Sequence, residues 1–259
     1  PGDILHFYGG YMHVAAFLLF VRKSLYLWFA LAAIVIYQLL LLIIPVETGW
    51  DFTTSKYLDF WTPEGFLRST FYNGWNSLFP WISYFFLGMW LGRMDWNNQK
   101  KKLWLFIGAI VVLLITKGVK MGAAYGLYSP EINQYMLTEY NPIVLPFLFI
   151  TASCGVIAIC ICHSIGNWLP TNKIILSLAS LGKMTLTMYV FHITVGMLLL
   201  SLLTGIKYTG YYPTGKTLSS VAIMLYVVVF YAFCLAFSTI YSRFFKKGPL
   251  ESLMRLFSR

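Results

Sequence analysis

Charge is what this chain has least of. Charged residues are 11% of its 259 residues, nine acidic against 19 basic. An ordinary soluble domain draws about a quarter of its residues from Asp, Glu, Lys and Arg, so the composition excludes that class. Cysteine is scarce too. Cys154, Cys160, Cys162 and Cys234 all lie inside apolar stretches, with no CxxC and no zinc-ligand spacing among them. That excludes a disulfide framework and a structural zinc site, and the four thiols read as buried spectators. HExxH, GxSxG, P-loop and GxGxxG patterns are missing, which removes the commonest hydrolase and nucleotide-binding readings. No cluster of carboxylates falls in an apolar stretch, so no metal is expected.

What is present in excess is apolar sequence, 59% of the chain. A bilayer core about 30 Å thick takes roughly 20 apolar residues at 1.5 Å each. On that rule the chain is an all-α, polytopic transmembrane helix bundle of about seven spans, at 4–21, 25–45, 78–92, 103–120, 142–163, 174–204 and 217–242. The sixth is too long for one straight span and is expected to begin with a separate surface piece near 174–182. The third is short and is expected to start earlier, near Trp75. Pro1 opens the chain with no charged leader before the first apolar run, so a processed product or a piece of a longer protein is expected.

Basic residues fall on alternate loops. Arg22, Lys23, Arg93, Lys100, Lys101, Lys102, Lys173, Lys183, Arg243, Lys246, Lys247, Arg255 and Arg259 share one side with only Asp95 and Glu251. Basic loops mark the cytoplasmic face, which puts residue 1 outside and the C-terminus inside. The net charge of +10 therefore serves topology and anionic lipid at the cytoplasmic face, not nucleic acid.

Residues 1–247 form the transmembrane bundle in this reading, and two non-spanning pieces stand out. The outer loop 46–77 is rich in Trp, Tyr and Phe, and Thr62-Pro63-Glu64 is an N-cap followed by proline at the first helical position. A short amphipathic helix over about 63–72 follows, its aromatics an interfacial belt. At 248–259, Gly248-Pro249 ends the last span. Leu250, Leu253, Met254 and Phe257 then recur at helical spacing, with Glu251 and Arg255 an i, i+4 pair on another face. This is expected to be a cytoplasmic interfacial amphipathic helix.

Polar residues inside the spans are the candidates for chemistry, because the bilayer makes them costly to keep. His13 lies nine residues from Arg22, and His192 nine from Lys183. Each imidazole is thus about 14 Å from the basic boundary, near mid-membrane. Asp3, His6 and His13 share a stripe; Thr185, Tyr189, His192 and Gly196 form another at i, i+4, i+7 and i+11, and Gln38 could join either. Two readings fit such rows. One is a general base, His192 or His13, with His6, Gln38, Thr185 and Tyr189 as substrate-orienting groups. The other is interhelical hydrogen bonding, the commoner use of residues like Thr185 and Tyr189. The matched depth of His13 and His192 favours the first. His163, at the end of its span, reads as interfacial.

Four strings in order carry a resemblance. They are Gly2-Asp3-Ile4-Leu5-His6; Pro80-Trp81 leading into Leu87-Gly88-Met89-Trp90-Leu91-Gly92-Arg93; Leu181-Gly182-Lys183-Met184-Thr185-Leu186-Thr187-Met188-Tyr189; and Gly248-Pro249-Leu250-Glu251 ending in Arg255. Together they resemble the C-terminal region of the YeiB-like family of bacterial inner-membrane proteins. Lys183 and Met188 stand where that family usually has Arg and Asn, and His192 where Gln is common. The family looks related to the transmembrane acyltransferases. The resemblance therefore implies a bacterial cytoplasmic-membrane protein that moves an acyl group from cytoplasmic acyl-CoA, such as acetyl-CoA, to a membrane or extracytoplasmic acceptor. Arg93, Lys100–Lys102 and Lys183 would then attract the phosphates of CoA, where ordinary topology is the plainer account of the same charges. A small-solute transporter and a non-catalytic membrane scaffold are the alternatives.

Overall fold

The computed structural model describes residues 5–54, 56–205 and 218–257, with the side chains of Leu5, His6 and Phe257 outside that set. The chain divides into two compact units, Pro1–Cys162 and His163–Arg259. Both are helical, as expected, apart from one small hairpin.

The first unit runs α1 (Leu5–Leu18), α2 (Leu25–Ile43), β1 (Trp50–Asp51), β2 (Lys56–Tyr57), α3 (Pro63–Arg68), a π turn (Ser69–Asn73), α4 (Leu78–Gly92), α5 (Gln99–Ala124) and α6 (Pro130–Leu137), and holds most of α7 (Leu145–Trp168). Helices α2 and α4 pack antiparallel, as two pairs show. Lys23, before α2, lies over the Trp90 ring near the end of α4, 5.0 Å from its centroid, and Phe29 meets Phe86 at 5.6 Å. Phe7, Tyr11, Tyr26, Ala33, Ile82 and Phe86 make one core. Leu91, Ala109, Val156 and Cys160 make another where α4, α5 and α7 meet.

The pattern of burial is that of a membrane protein. Helix α2 buries Tyr26, Ala33 and Tyr37, while Leu27, Leu31, Leu39 and Leu42 are exposed. Ser77, Ser83 and Ser153 are buried as well. Water would reverse this arrangement. Lipid, as apolar as leucine, gives no reason to hide aliphatic side chains, and leaves small and polar residues to make the helix contacts. The cysteines follow suit: Cys160 and Cys234 are buried, but Cys154 and Cys162 are exposed, which corrects the reading of all four as buried.

The number of spans differs from the sequence expectation. Among the described residues, five helical segments are long and apolar enough to cross a membrane: α2, α5, α7, Thr185–Thr204 and Ser220–Tyr241. The segments expected at 4–21 and 78–92 are α1, of 14 described residues, and α4, of 15. Helix α4 cannot reach back to Trp75. Phe79 has φ −95° and ψ 136°, the extended conformation that a following proline imposes on its neighbour. The end of α1 is closed by side chains: Tyr26 Oη donates to the Leu18 carbonyl at 2.6 Å, and the Arg93 guanidinium donates to the carbonyls of Val21, at 2.6 Å, and Leu19.

The loop after α2 is folded. Thr62 caps α3 as expected, its Oγ1 accepting from the Gly65 amide at 3.0 Å with Pro63 at the first helical position. Asn73 ties the rest together. Its Nδ2 donates to the Val46 and Thr48 carbonyls, its Oδ1 accepts from Tyr57, and its own carbonyl accepts from Trp50 Nε1. Arg68 pairs with Asp59 and donates to Tyr57 Oη. Helix α3 and the π turn together cover the helix expected at about 63–72, whereas the hairpin has no counterpart in the sequence reading; nor has α6, although Ser129-Pro130-Glu131 repeats the pattern of Thr62-Pro63-Glu64.

The second unit contains the rest of α7, then α8 (Lys173–Gly182), α9 (Thr185–Phe191), a π turn (His192–Gly196), α10 (Met197–Thr204), α11 (Ser220–Tyr241) and α12 (Pro249–Phe257). The break expected inside 174–204 falls at Lys183–Met184. Asn172 starts α8, its Oδ1 accepting from the amides of Ile174 and Ile175. Rings stack between α9 and α11, with Phe191 against Phe230 and Phe233 at 5.7 Å each.

Candidate functional site

Helices α8, α9 and α11 enclose a cleft of about 580 Å³ in the second unit. One side is the row expected from helical spacing: Thr185, Tyr189, His192 and Gly196 all line it. The facing wall is Tyr226, Val227, Phe230, Tyr231 and Cys234 of α11, with Leu178, Leu181 and Gly182 of α8 at one end. A largely apolar cavity with a few convergent polar groups is the usual form of a small-ligand site.

His192 opens the π turn, and such turns recur at functional sites because the wider ring re-aims side chains. The Tyr189 ring meets the imidazole edge-on at 5.3 Å. Neither imidazole nitrogen has a hydrogen-bond partner among the described residues, and His192 is exposed to the cleft. Beyond it, Tyr226 Oη donates to the Gly196 carbonyl at 2.5 Å. A Cβ on Gly196 would come within 3.1 Å of the Phe230 ring, so glycine here permits the close crossing of the π turn and α11.

Beneath the cleft, two of the strings that carry the family resemblance meet. Met184, at the N-cap of α9, makes no side-chain cap bond. Glu251 of α12 supplies the cap: its carboxylate accepts from the Thr187 amide at 3.1 Å and from Thr187 Oγ1 at 2.5 Å. Thr187 Oγ1 in turn accepts from the Leu250 amide at 3.2 Å. Burial alone would raise the Glu251 carboxyl; the bonds from Thr187 outweigh it and hold the group below the usual glutamate value. Gly248 has no room for a side chain, since a Cβ would lie 2.1 Å from Glu251 Oε2 and 2.7 Å from Thr187 Oγ1.

Lys183 sits at the break between α8 and α9, next to Gly182 of the cleft wall, with its side chain exposed. His13, Gln38 and Arg93 belong to the other unit. His13 is exposed, and its Nδ1 lies 2.7 Å from the Gly9 carbonyl. A carbonyl can only accept, so Nδ1 is the donor in this contact. Gln38 is engaged at both ends of its amide, donating to the Ile143 carbonyl at 3.4 Å and accepting from Tyr135 Oη at 2.7 Å. Besides its two carbonyl bonds, Arg93 lies over the Tyr26 ring at 4.7 Å, so its guanidinium is already employed in holding α1, α2 and α4 together. Asp3 and the side chain of His6 lie outside the described residues. His163 lies 3.3 Å from Asn167 Nδ2, one turn along α7.

Sequence reasoning missed Tyr226, Tyr231 and Cys234 as cleft residues. Their spacing with Val227 and Phe230 marks one face of α11, but only the tertiary pairing with α9 tells that this face meets a histidine. Among the described residues no group of three or more His, Cys, Asp or Glu is placed to hold a metal.

No curated protein and no solved structure matched the chain. One family did, over residues 87–259, the region that takes in the cleft, the Glu251 cap and three of the four recognised strings whole or in large part. The chain is thus a helical membrane protein that belongs to the family described as protein of unknown function (DUF418).

Proposed function

We propose that this protein takes part in acyl transfer at a bacterial cytoplasmic membrane, with its basic loops and C-terminus on the cytoplasmic side. The observation that carries the reading is the cleft itself, where the His192 imidazole, without a hydrogen-bond partner among the described residues, sits among Thr185, Tyr189 and apolar walls. In the proposed reaction His192 takes the proton of an acceptor hydroxyl or amine. The freed lone pair attacks the thioester carbonyl carbon of acyl-CoA. Collapse of the tetrahedral adduct breaks the carbon–sulfur bond, and the imidazolium returns its proton to the leaving thiolate. Thr185 and Tyr189 supply donors to orient the acceptor. His13, whose Nδ1 is bonded to the Gly9 carbonyl, is the second candidate for the same role. Lys183, exposed beside the cleft, suits the phosphates of CoA better than Arg93, whose guanidinium is already bonded.

The test is transfer of label from acetyl-CoA, presented on the basic face of sealed vesicles, to lipid, glycan or trapped acceptor. His192→Ala should abolish it while the protein still inserts and resists proteolysis as before. Full transfer in both His192→Ala and His13→Ala would refute the reading. Solute transport is the second reading, in which the row of Thr185, Tyr189, His192 and Gly196 would line a path through the cleft. Solute flux in proteoliposomes lacking any acyl donor would favour it over acyl transfer.

A further inference from the structure

A second crevice, of about 410 Å³, lies wholly within the first unit, between α2, α4, α5 and α7. Its two ends differ. Reading the lining along each helix, Leu27, Leu87, Trp104 and Val156 mark one end; Ile34, Ser83, Val112 and Phe149 mark the other. From Trp104 to Val112 is about 12 Å of helix, close to the thickness of one hydrocarbon leaflet. The walls are aliphatic and small, with Gly108, Ala109 and Ala152 opening the space.

The end marked by Trp104 is basic. On α5 the lining residues Trp104, Leu105, Gly108, Ala109 and Val112 share one face. One turn back on that face stand Lys100 and Lys101, both exposed and both within the helix. Lys102 lies within electrostatic reach of Cys160, one turn along α7 from Val156. Lys23 covers Trp90 near the ends of α2 and α4 that mark the same end. The nearest acidic side chain in sequence, Asp95, accepts from the Asn97 amide in the turn before α5. An apolar slot one leaflet deep with lysines at one rim matches an amphiphile carrying a single negative headgroup.

We infer that this crevice binds one anionic glycerophospholipid, an acyl chain in the slot and the phosphate at Lys100 and Lys101. The slot is separate from the His192 cleft, with which it shares no lining residue, while its rim lysines Lys100 and Lys101 are among those the sequence offered for the phosphates of CoA. Its selectivity comes from the lysines and its retention from the slot, so the two can be removed separately.

The experiment is native mass spectrometry of the whole chain, delipidated and titrated with phosphatidylglycerol or with phosphatidylcholine of the same acyl chains. Phosphatidylglycerol should be retained preferentially at one site. The Lys100→Gln/Lys101→Gln variant should lose roughly 30-fold of that preference, at about 1 kcal/mol for each of the two lysines facing an anionic headgroup, without weaker phosphatidylcholine binding. Gly108→Leu fills the slot, and a Cβ there meets nothing within 4 Å; it should release both lipids. Leu31→Trp, filling the slot from α2, serves if Gly108→Leu fails to fold. Equal retention of the two lipids, variants that bind like the parent, or a second copy of the chain bound in place of lipid would each overturn the inference.

Discussion

Replacing Glu251 by Ala removes the only side-chain cap that the described structure gives α9. Capping side chains are worth about 0.5–2 kcal/mol at a helix start, and hydrogen bonds to a charged partner about 1.5–3 kcal/mol. The carboxylate here accepts from both the amide and the hydroxyl of Thr187 but is only partly screened from solvent. The lower part of that range is the appropriate one, so undocking of α12 should become easier by about 2 kcal/mol, or roughly 30-fold. Glu251→Gln keeps one acceptor oxygen and turns an amide group toward Thr187, and should lose about half as much. The sign with pH follows from the lowered carboxyl. Its contribution is complete above the ordinary glutamate value and is lost as pH falls through the lower folded value. Hydrogen exchange of the α12 amides and of the first turn of α9 reads this directly, after correction for intrinsic rates. Thr187→Val together with Glu251→Ala should cost less than the two changes summed, because they remove one shared interaction. Unchanged protection in Glu251→Ala, or protection flat from neutral pH down through the acid range in the parent, would refute the reasoning.

Other outcomes follow from single residues. Asn73→Ala removes three side-chain bonds from the outer loop, so proteolysis within 46–77 should accelerate by at least tenfold, from a loss of about 2 kcal/mol. Arg93→Lys keeps the charge but cannot span the two carbonyls of Leu19 and Val21 while stacking on Tyr26. The unit should lose about 1–2 kcal/mol against denaturant, with His192-dependent transfer unchanged. Tyr226→Phe removes one interhelical bond to Gly196 and should cost about 1 kcal/mol in thermal stability. Gly196→Val must move Phe230 and should also lower the His192-dependent transfer of label from acetyl-CoA.

The sequence made the architecture legible where a solvent rule applies along one segment. Apolar length found the membrane helices, spacing alone aligned Thr185, Tyr189, His192 and Gly196, and the Thr-Pro-Glu pattern placed the start of α3. It failed where the outcome depends on a partner distant in sequence. Helix α4 proved short because Pro80 stops it, and the turn after Leu18 ends α1 before residue 21, although the side chains there remain apolar. Arg93 reads as a free cation until Leu19 and Val21 are seen beside it. Gln38 reads as a substrate contact until Tyr135 and Ile143 occupy it. Exposure of Cys154 and Cys162 was hidden for a related reason: in lipid, an apolar stretch says nothing about which of its residues face other helices.

The Glu251 cap also sets an order of events in biosynthesis. The carboxylate lies 64 residues after the Thr187 amide that it caps. At a synthesis rate of roughly 5–20 residues per second, α9 leaves the ribosome about 3–13 s before its cap exists. Through that interval its first amides rely on water or lipid headgroups, and apolar length alone must carry the segment into the bilayer. The start of α9 is finished by residues made after α11, so α9 reaches its final form only once α12 has been made.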